Sequence, residues 1–403
     1  MALFQYDRFE LDSLDRTQPI IRLVRFIRGN GVEIHCEIFQ AWLSQPEDII
    51  PYEALSYTWG RNQKTDDILV NGNKLGITKN LYLALRYLRL EDEDRILWVD
   101  GICINQGNDQ EKGHQVQQMG NIYRQAERVL IWLGPATSGT NVFMESMMKL
   151  EKESLNSPKN SWSVSGQVLS QRCLDTWSSI KPELRSIHSN LELRQRHGLE
   201  AIFERPWFRR VWILQEVANA RAAIVICGVK SVSAQIFALG PSLTGLTPDA
   251  HCQSILDIMP GKPREKFWWS KKRDLHTLLS KFRKSSASDP RDNIYALLGL
   301  SSDAYDSDLL QPDYSKSMRD VMNDTASFLL QVPELGKTDF ISYWTVATIP
   351  LFLEDMQSLY GAALNWAHTT GNESIPMRLL ARGDVDANSR DKNGETPLLR
   401  AAR

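Results

Sequence analysis

ILWVDGICINQ, residues 96–106, sets a continuous apolar run directly against a chain of polar groups. Ile96 to Val99 read as a short strand buried on both faces, and Asp100, Asn105 and Gln106 follow just beyond its carboxyl end. Working outward, the same layout recurs. Residues 52–60 (YEALSYTWG) and 129–133 (VLIWL) are further short apolar runs, and 222–227 (AAIVIC) closes the series. Helix-like stretches separate them. Thr78 is placed to cap a helix to Leu90 with Leu81, Leu85 and Leu88 on one stripe, and a polar amphipathic helix is expected over 109–127. Short buried strands alternating with helices predict an α/β fold with a mostly parallel, open sheet and flanking helices. The strands holding Leu55, Leu97, Ile131 and Val225 are expected to lie in one sheet.

Before this alternation, residues 20–43 hold two β-like runs around Asn30-Gly31, a hairpin signal, and a second Asn-Gly pair follows the strand expected at 67–71. Residues 1–48 are therefore an N-terminal β-hairpin region, and 49–230 the α/β domain. The Ser-, Asn- and Lys-rich stretch within about 137–198 reads as an insertion. Residues 231–372 are expected to be a helical extension.

Composition narrows the function classes. The chain has 403 residues, 42% hydrophobic and 24% charged, with Lys+Arg 47 against Asp+Glu 49 and a formal net charge of -2. No global field draws it to nucleic acid or to an anionic membrane. No 18-residue apolar run is present, and charges interrupt the first residues where a signal peptide needs an apolar stretch. The five cysteines, 36, 103, 173, 227 and 252, are odd in number and lack C-x-x-C spacing, which points to reduced thiols in a cytoplasmic setting.

Three groups of residues are candidates for chemistry. The segment 205–216 (RPWFRRVWILQE) is expected to be a continuous helix with Arg205, Arg209, Trp212 and Glu216 on one stripe. Burial beside Trp212 would raise the pKa of Glu216 and a nearby arginine would lower it. The plain alternative is that Glu216 pairs with a basic neighbour while Trp212 packs. Asp100 and Asn105 stand where open α/β sheets bind ligands, or else cap a turn and the next helix. Tyr57, Trp59 and Arg61 offer aromatic rings and a cation suited to an adenine and a phosphate, or else belong to a core under a charged loop.

In order and wording, YEALSYTWG, ILWVDGICINQ and RPWFRRVWILQE resemble the signature blocks of the fungal heterokaryon incompatibility (HET) domain, over roughly residues 50–220. That family acts in nonself recognition and programmed cell death. HET domains resemble the Toll/interleukin-1 receptor (TIR) domain, so the resemblance implies a TIR/flavodoxin-like sheet. The W-x-x-x-E of Trp212 and Glu216 is similar to the W-C-x-x-E of enzymatic TIR domains, with Ile213 where that pattern has cysteine. The resemblance implies that Glu216 is catalytic in NAD cleavage, while Tyr57, Trp59, Arg61, Asp100, Asn105 and Trp212 bind the rest of NAD. NAD would then be substrate, with no cofactor required. A non-enzymatic adaptor acting by self-association is the other expectation.

At the other end, LLARGDVDANSRDKNGETPLLRAA resembles an ankyrin repeat junction, with Leu399 where the pattern usually has His. Residues 373–403 are read as a partial ankyrin repeat. The two resemblances imply protein partners through the HET and ankyrin surfaces, a homo-oligomer among them.

Overall fold

The computed structural model describes residues 2–7, 20–43, 50–60, 63–155, 166–261, 268–305, 307–332, 335, 338, 340–371 and 375–377, with isolated positions beyond; the side chains of 166–171 and 271 are excepted. The ankyrin-like stretch lies almost wholly outside the described residues. Two compact units divide the chain, Met1–Lys271 and Lys272–Arg403.

The first unit is built on one nine-stranded sheet. Its strands are β1 (Ile20–Phe26), β2 (His35–Trp42), β3 (Glu53–Ser56), β4 (Lys64–Val70), β5 (Asn73–Thr78), β6 (Arg95–Trp98), β7 (Arg128–Trp132), β8 (Ala223–Cys227) and β9 (Lys230–Ser233). They lie in the order β5-β4-β2-β1-β6-β3-β7-β8-β9. The middle four, β6-β3-β7-β8, run parallel and carry Leu97, Leu55, Ile131 and Val225, as expected. β7 and β8 are nearly continuous in apolar residues, and β3, although it carries Glu53 and Ser56, is buried throughout.

The expectation of a mostly parallel sheet is corrected to a mixed one. β1 is antiparallel to β2 and to β6, β4 to β5, and β8 to β9, while β2 and β4 are parallel. The reason is connection length: β1–β2, β4–β5 and β8–β9 are joined too briefly for a crossover, and a short link returns the chain antiparallel. At the β4–β5 turn, Asn71 and Gly72 both take positive φ, 49° and 78°, the backbone that this two-residue turn demands. In the β1–β2 hairpin, Asn30-Gly31 lies within a longer loop, since the last pair is Phe26 with Cys36.

Within the parallel core, β3 has β6 on one side and β7 on the other. The chain therefore winds first to one side of β3 and then to the other, the change of direction at whose carboxyl ends open α/β sheets bind ligands. Helix α1 (Lys79–Leu88) is capped by the Thr78 hydroxyl and buries Leu81, Leu85 and Leu88. After β6 comes the single turn α2 (Asp100–Cys103), then α3 (Asp109–Gln125). Tyr123 of α3 donates to the Leu55 carbonyl at 3.1 Å and meets Trp98 edge-on at 5.4 Å, so α3 is pinned across β3 and β6. The buried pair Arg22–Glu111 joins α3 to β1 at 2.5 Å, and Glu111 also accepts the Asn105 N–H at 2.7 Å, which sets the α2–α3 connection.

Residues in the expected insertion form α4 (Ser138–Leu155), α5 (Gly166–Ile187) and α6 (Leu191–Phe203). Then come α7 (Ile213–Ala218), α8 (Ala234–Phe237), α9 (Gly240–Thr244), α10 (Ala250–Ile258) and α11 (Trp268–Lys271). In the second unit the described elements are helices, α12 (Leu275–Phe282), α13 (Asp292–Leu298), α14 (Met318–Leu330), α15 (Phe340–Trp344), α16 (Ile349–Glu354) and α17 (Leu359–Thr370). Its DPRDNIYALLGL and PDYSKS stretches form one clamp. Arg291 binds Asp289 and donates to the carbonyls of Tyr314 and Lys316, while the Tyr314 hydroxyl donates to Asp292 at 2.7 Å. That ties the chain before α14 onto α13.

Candidate functional site

The segment 205–216 is not the continuous helix that its spacing suggests. It is a 3₁₀ turn, Pro206–Arg209, then an extended Arg210 with φ -70° and ψ 129°, then α7. The break exchanges helical hydrogen bonds for buried polar contacts with the end of β3. The Trp207 indole N–H donates to the Ser56 hydroxyl at 2.9 Å, and Arg210 donates to the Tyr57 carbonyl at 2.5 Å. Arg205 and Arg209 are turned elsewhere, Arg205 to the carbonyls of Leu133 and Pro135 and Arg209 to Asp249 at 2.8 Å. Trp212 stands at the start of α7, and its carbonyl accepts the Glu216 N–H at 3.3 Å.

Arg210, which spacing did not single out, is the centre of the arrangement. One guanidinium nitrogen meets Glu216 at 3.3 Å and the other meets Asp100 at 3.0 Å, while the group lies 5.9 Å from the centre of the Tyr57 ring. Asp100 also accepts the Trp59 indole N–H at 2.8 Å and the Gly101 N–H at 2.6 Å. All three sequence blocks thus converge on one arginine beyond the carboxyl ends of β3 and β6. The signal was present as the doubled Arg209-Arg210 in an apolar run; a helical reading turned the wrong arginine inward.

Glu216 is 0% exposed, and among the described residues its Oε2 has no hydrogen-bond partner. Burial pushes its carboxyl up to about 7, against the opposing pull of Arg210 and the neighbouring Ser56 hydroxyl. The folded-state value lies above the ordinary 4.5, so the stability contributed by this group is full below pH 4.5 and falls as pH rises through about 7. That loss is on the order of 3 kcal/mol. Urea midpoints at pH 5 and pH 8 should therefore differ more in the native protein than in Glu216→Gln; equal differences would contradict the assignment.

The remaining candidates fall beside this cluster. Tyr57, Trp59 and Asn105 line a cavity of about 150 Å³, which neither Glu216, Asp100 nor Trp212 lines. Arg61 lies outside the described residues. Asn105 accepts the Gly107 N–H at 3.1 Å, and it is Asn108, not Asn105, that caps α3. Tyr57 packs so closely on α2 that a Cβ on Gly101 would meet its hydroxyl at 2.6 Å. All five cysteines are free and buried, and burial pushes the Cys103 thiol up to about 12, which leaves it unreactive at neutral pH.

Residues 52–216 match the protein family described as Heterokaryon incompatibility protein (HET). The matched segment begins at the entry to β3 and ends on Glu216, and so spans the convergence on Arg210. Among curated proteins the chain is similar to "Heterokaryon incompatibility protein 6, OR allele" of Neurospora crassa, at 28% identity over 344 residues, covering 74% of this chain and 50% of that protein. The chain thus spans about half the length of the curated relative it matches. No solved structure matches it.

Proposed function

We propose that this protein acts in heterokaryon incompatibility, as a cytoplasmic effector of nonself recognition whose activation kills the cell, and that the matched segment cleaves NAD in a TIR-like manner. The observation that carries this reading is the segment 52–216, matched to the HET family and assembled around a buried carboxylate. Counted along the chain, the four parallel strands follow the order 2-1-3-4, the opening of the flavodoxin-like winding, which supports the TIR likeness. Glu216 would stabilise the positive charge that develops on the ribose as nicotinamide leaves. Its raised pKa and free Oε2 suit a group that Arg210 holds in reserve, and Arg210 must swing off before NAD can reach it. Arg61, Asp100 and Trp212 would hold the rest of the dinucleotide, while Tyr57, Trp59 and Asn105 line the adjoining cavity, which is too small for its adenosine half.

One observation favours the adaptor reading. Glu216 is fully buried, and the adjoining cavity of about 150 Å³ is smaller than the ~300–1,000 Å³ of ordinary ligand pockets. In that reading the same face recruits protein partners or a second copy of the chain. No helix among the described residues is long and apolar enough to cross a membrane; the cytoplasmic setting rests on the five free thiols. Forced expression in a filamentous fungus, followed with a vital dye, tests the effector role. Dye uptake confined to expressing compartments is expected, and unimpaired growth at high expression would overturn it.

A further inference from the structure

The cavity beside Trp59 has a chemistry of its own. It opens between the end of β3, the β4–β5 hairpin and the α2–α3 connection, and Tyr6, Tyr57 and Trp59 give it aromatic walls. A void of about 150 Å³ holds one six-membered ring and is too small for a two-ring base with its sugar. Aromatic walls favour a flat π-system. Two amides complete the lining. Asn105 uses its Oδ1 on Gly107, and Gln106 uses its Nε2 on the Asp100 carbonyl at 3.0 Å. Among the described residues, the Asn105 NH₂ and the Gln106 carbonyl oxygen make no hydrogen bond, a donor and an acceptor of the kinds with which the edge of a ring amide or carboxamide pairs. Lys64, exposed on β4, also lines the cavity and has no carboxylate partner among the described residues, so it offers a cation to an anion tethered outside.

We propose that this cavity binds a six-membered heteroaromatic ring that carries an amide edge and a tethered phosphate, the chemistry shared by pyrimidine mononucleotides and nicotinamide mononucleotide. Glu216 does not line the cavity, so this binding requires no catalysis and is read without turnover. Trp59 forms one wall and at the same time donates to Asp100, which Arg210 also holds; occupancy is thereby in contact with the site around Glu216.

Isothermal titration of the full chain tests it, with uridine 5′-monophosphate, nicotinamide mononucleotide, uridine and adenosine 5′-monophosphate as probes. At least one of the two single-ring monophosphates should bind about tenfold or more tighter than uridine and than the adenosine nucleotide. Binding of the uridine nucleotide alone assigns a pyrimidine ligand, and binding of the nicotinamide nucleotide alone a pyridine one; either carries the proposal. Lys64→Glu, a surface change, should weaken the bound monophosphate about tenfold or more. Gly76→Val should abolish binding. Gly76 lines the cavity, and a Cβ there meets Lys64 at an ordinary 3.4 Å, so the strand has room for a first side-chain carbon. Absence of heat with both single-ring monophosphates, equal affinity for the adenosine nucleotide, or binding indifferent to both substitutions in folded protein would overturn the proposal. NAD cleavage that fails while the cavity binds its ligand would count against Glu216 alone.

Discussion

Arg210→Leu should cost about 3–5 kcal/mol of folding stability at pH 8, read as a lower urea midpoint. The guanidinium is 15% exposed and faces side chains that are 8% and 0% exposed, so its removal leaves two buried carboxyl groups close together without their shared cationic partner. The loss should shrink at pH 5, where Glu216, its carboxyl raised to about 7 in the native protein, is already protonated and has less charge pairing with Arg210 to lose. Arg209→Leu is the matched control. Its pair with Asp249 is more than a third exposed on both sides, and its loss should cost about 1 kcal/mol or less. Equal midpoints for the two variants would show that Arg210 is not the keystone of the site.

Glu216→Gln should leave the protein folded and abolish killing on forced expression. The amide is nearly isosteric and cannot oppose a developing cation, and a single neutralised group of this kind costs on the order of 10² to 10³ in rate. In the adaptor reading the same change leaves killing intact, because an uncharged side chain buried under Arg210 does not alter the outer face of the segment. Killing that survives Glu216→Gln in a folded protein would therefore transfer the function from the carboxylate to the surface.

The centre of the sheet was legible because strands covered on both faces must be written as unbroken apolar runs. ILWV, VLIW and AIVIC are such runs, and together with EALS, where Glu53 and Ser56 flank two apolar residues, they became the four parallel strands. The flanks were not legible. Whether β1 settles beside β6, and β2 beside β4, is decided by tertiary pairing between segments far apart in sequence, and local pattern carries no record of it. The site was half legible for a similar reason. Tyr57, Asp100 and Glu216 were marked by polar or aromatic groups set against buried runs, but their common partner was hidden by a break in the helix at Arg210. That break exists because buried contacts to Ser56 and Tyr57 outweigh helical continuity, a comparison no periodicity can make. The cavity needed still more distant pieces, Tyr6 and the β4–β5 hairpin, brought over Trp59 only by the folded chain.

The most direct measurement is nicotinamide release from NAD by the purified full chain, followed by chromatography beside Glu216→Gln. Release by the native protein is expected, with a fall on the order of 10² to 10³ in the variant. Release that the substitution leaves unchanged, or no release from a preparation that kills when expressed, would contradict it.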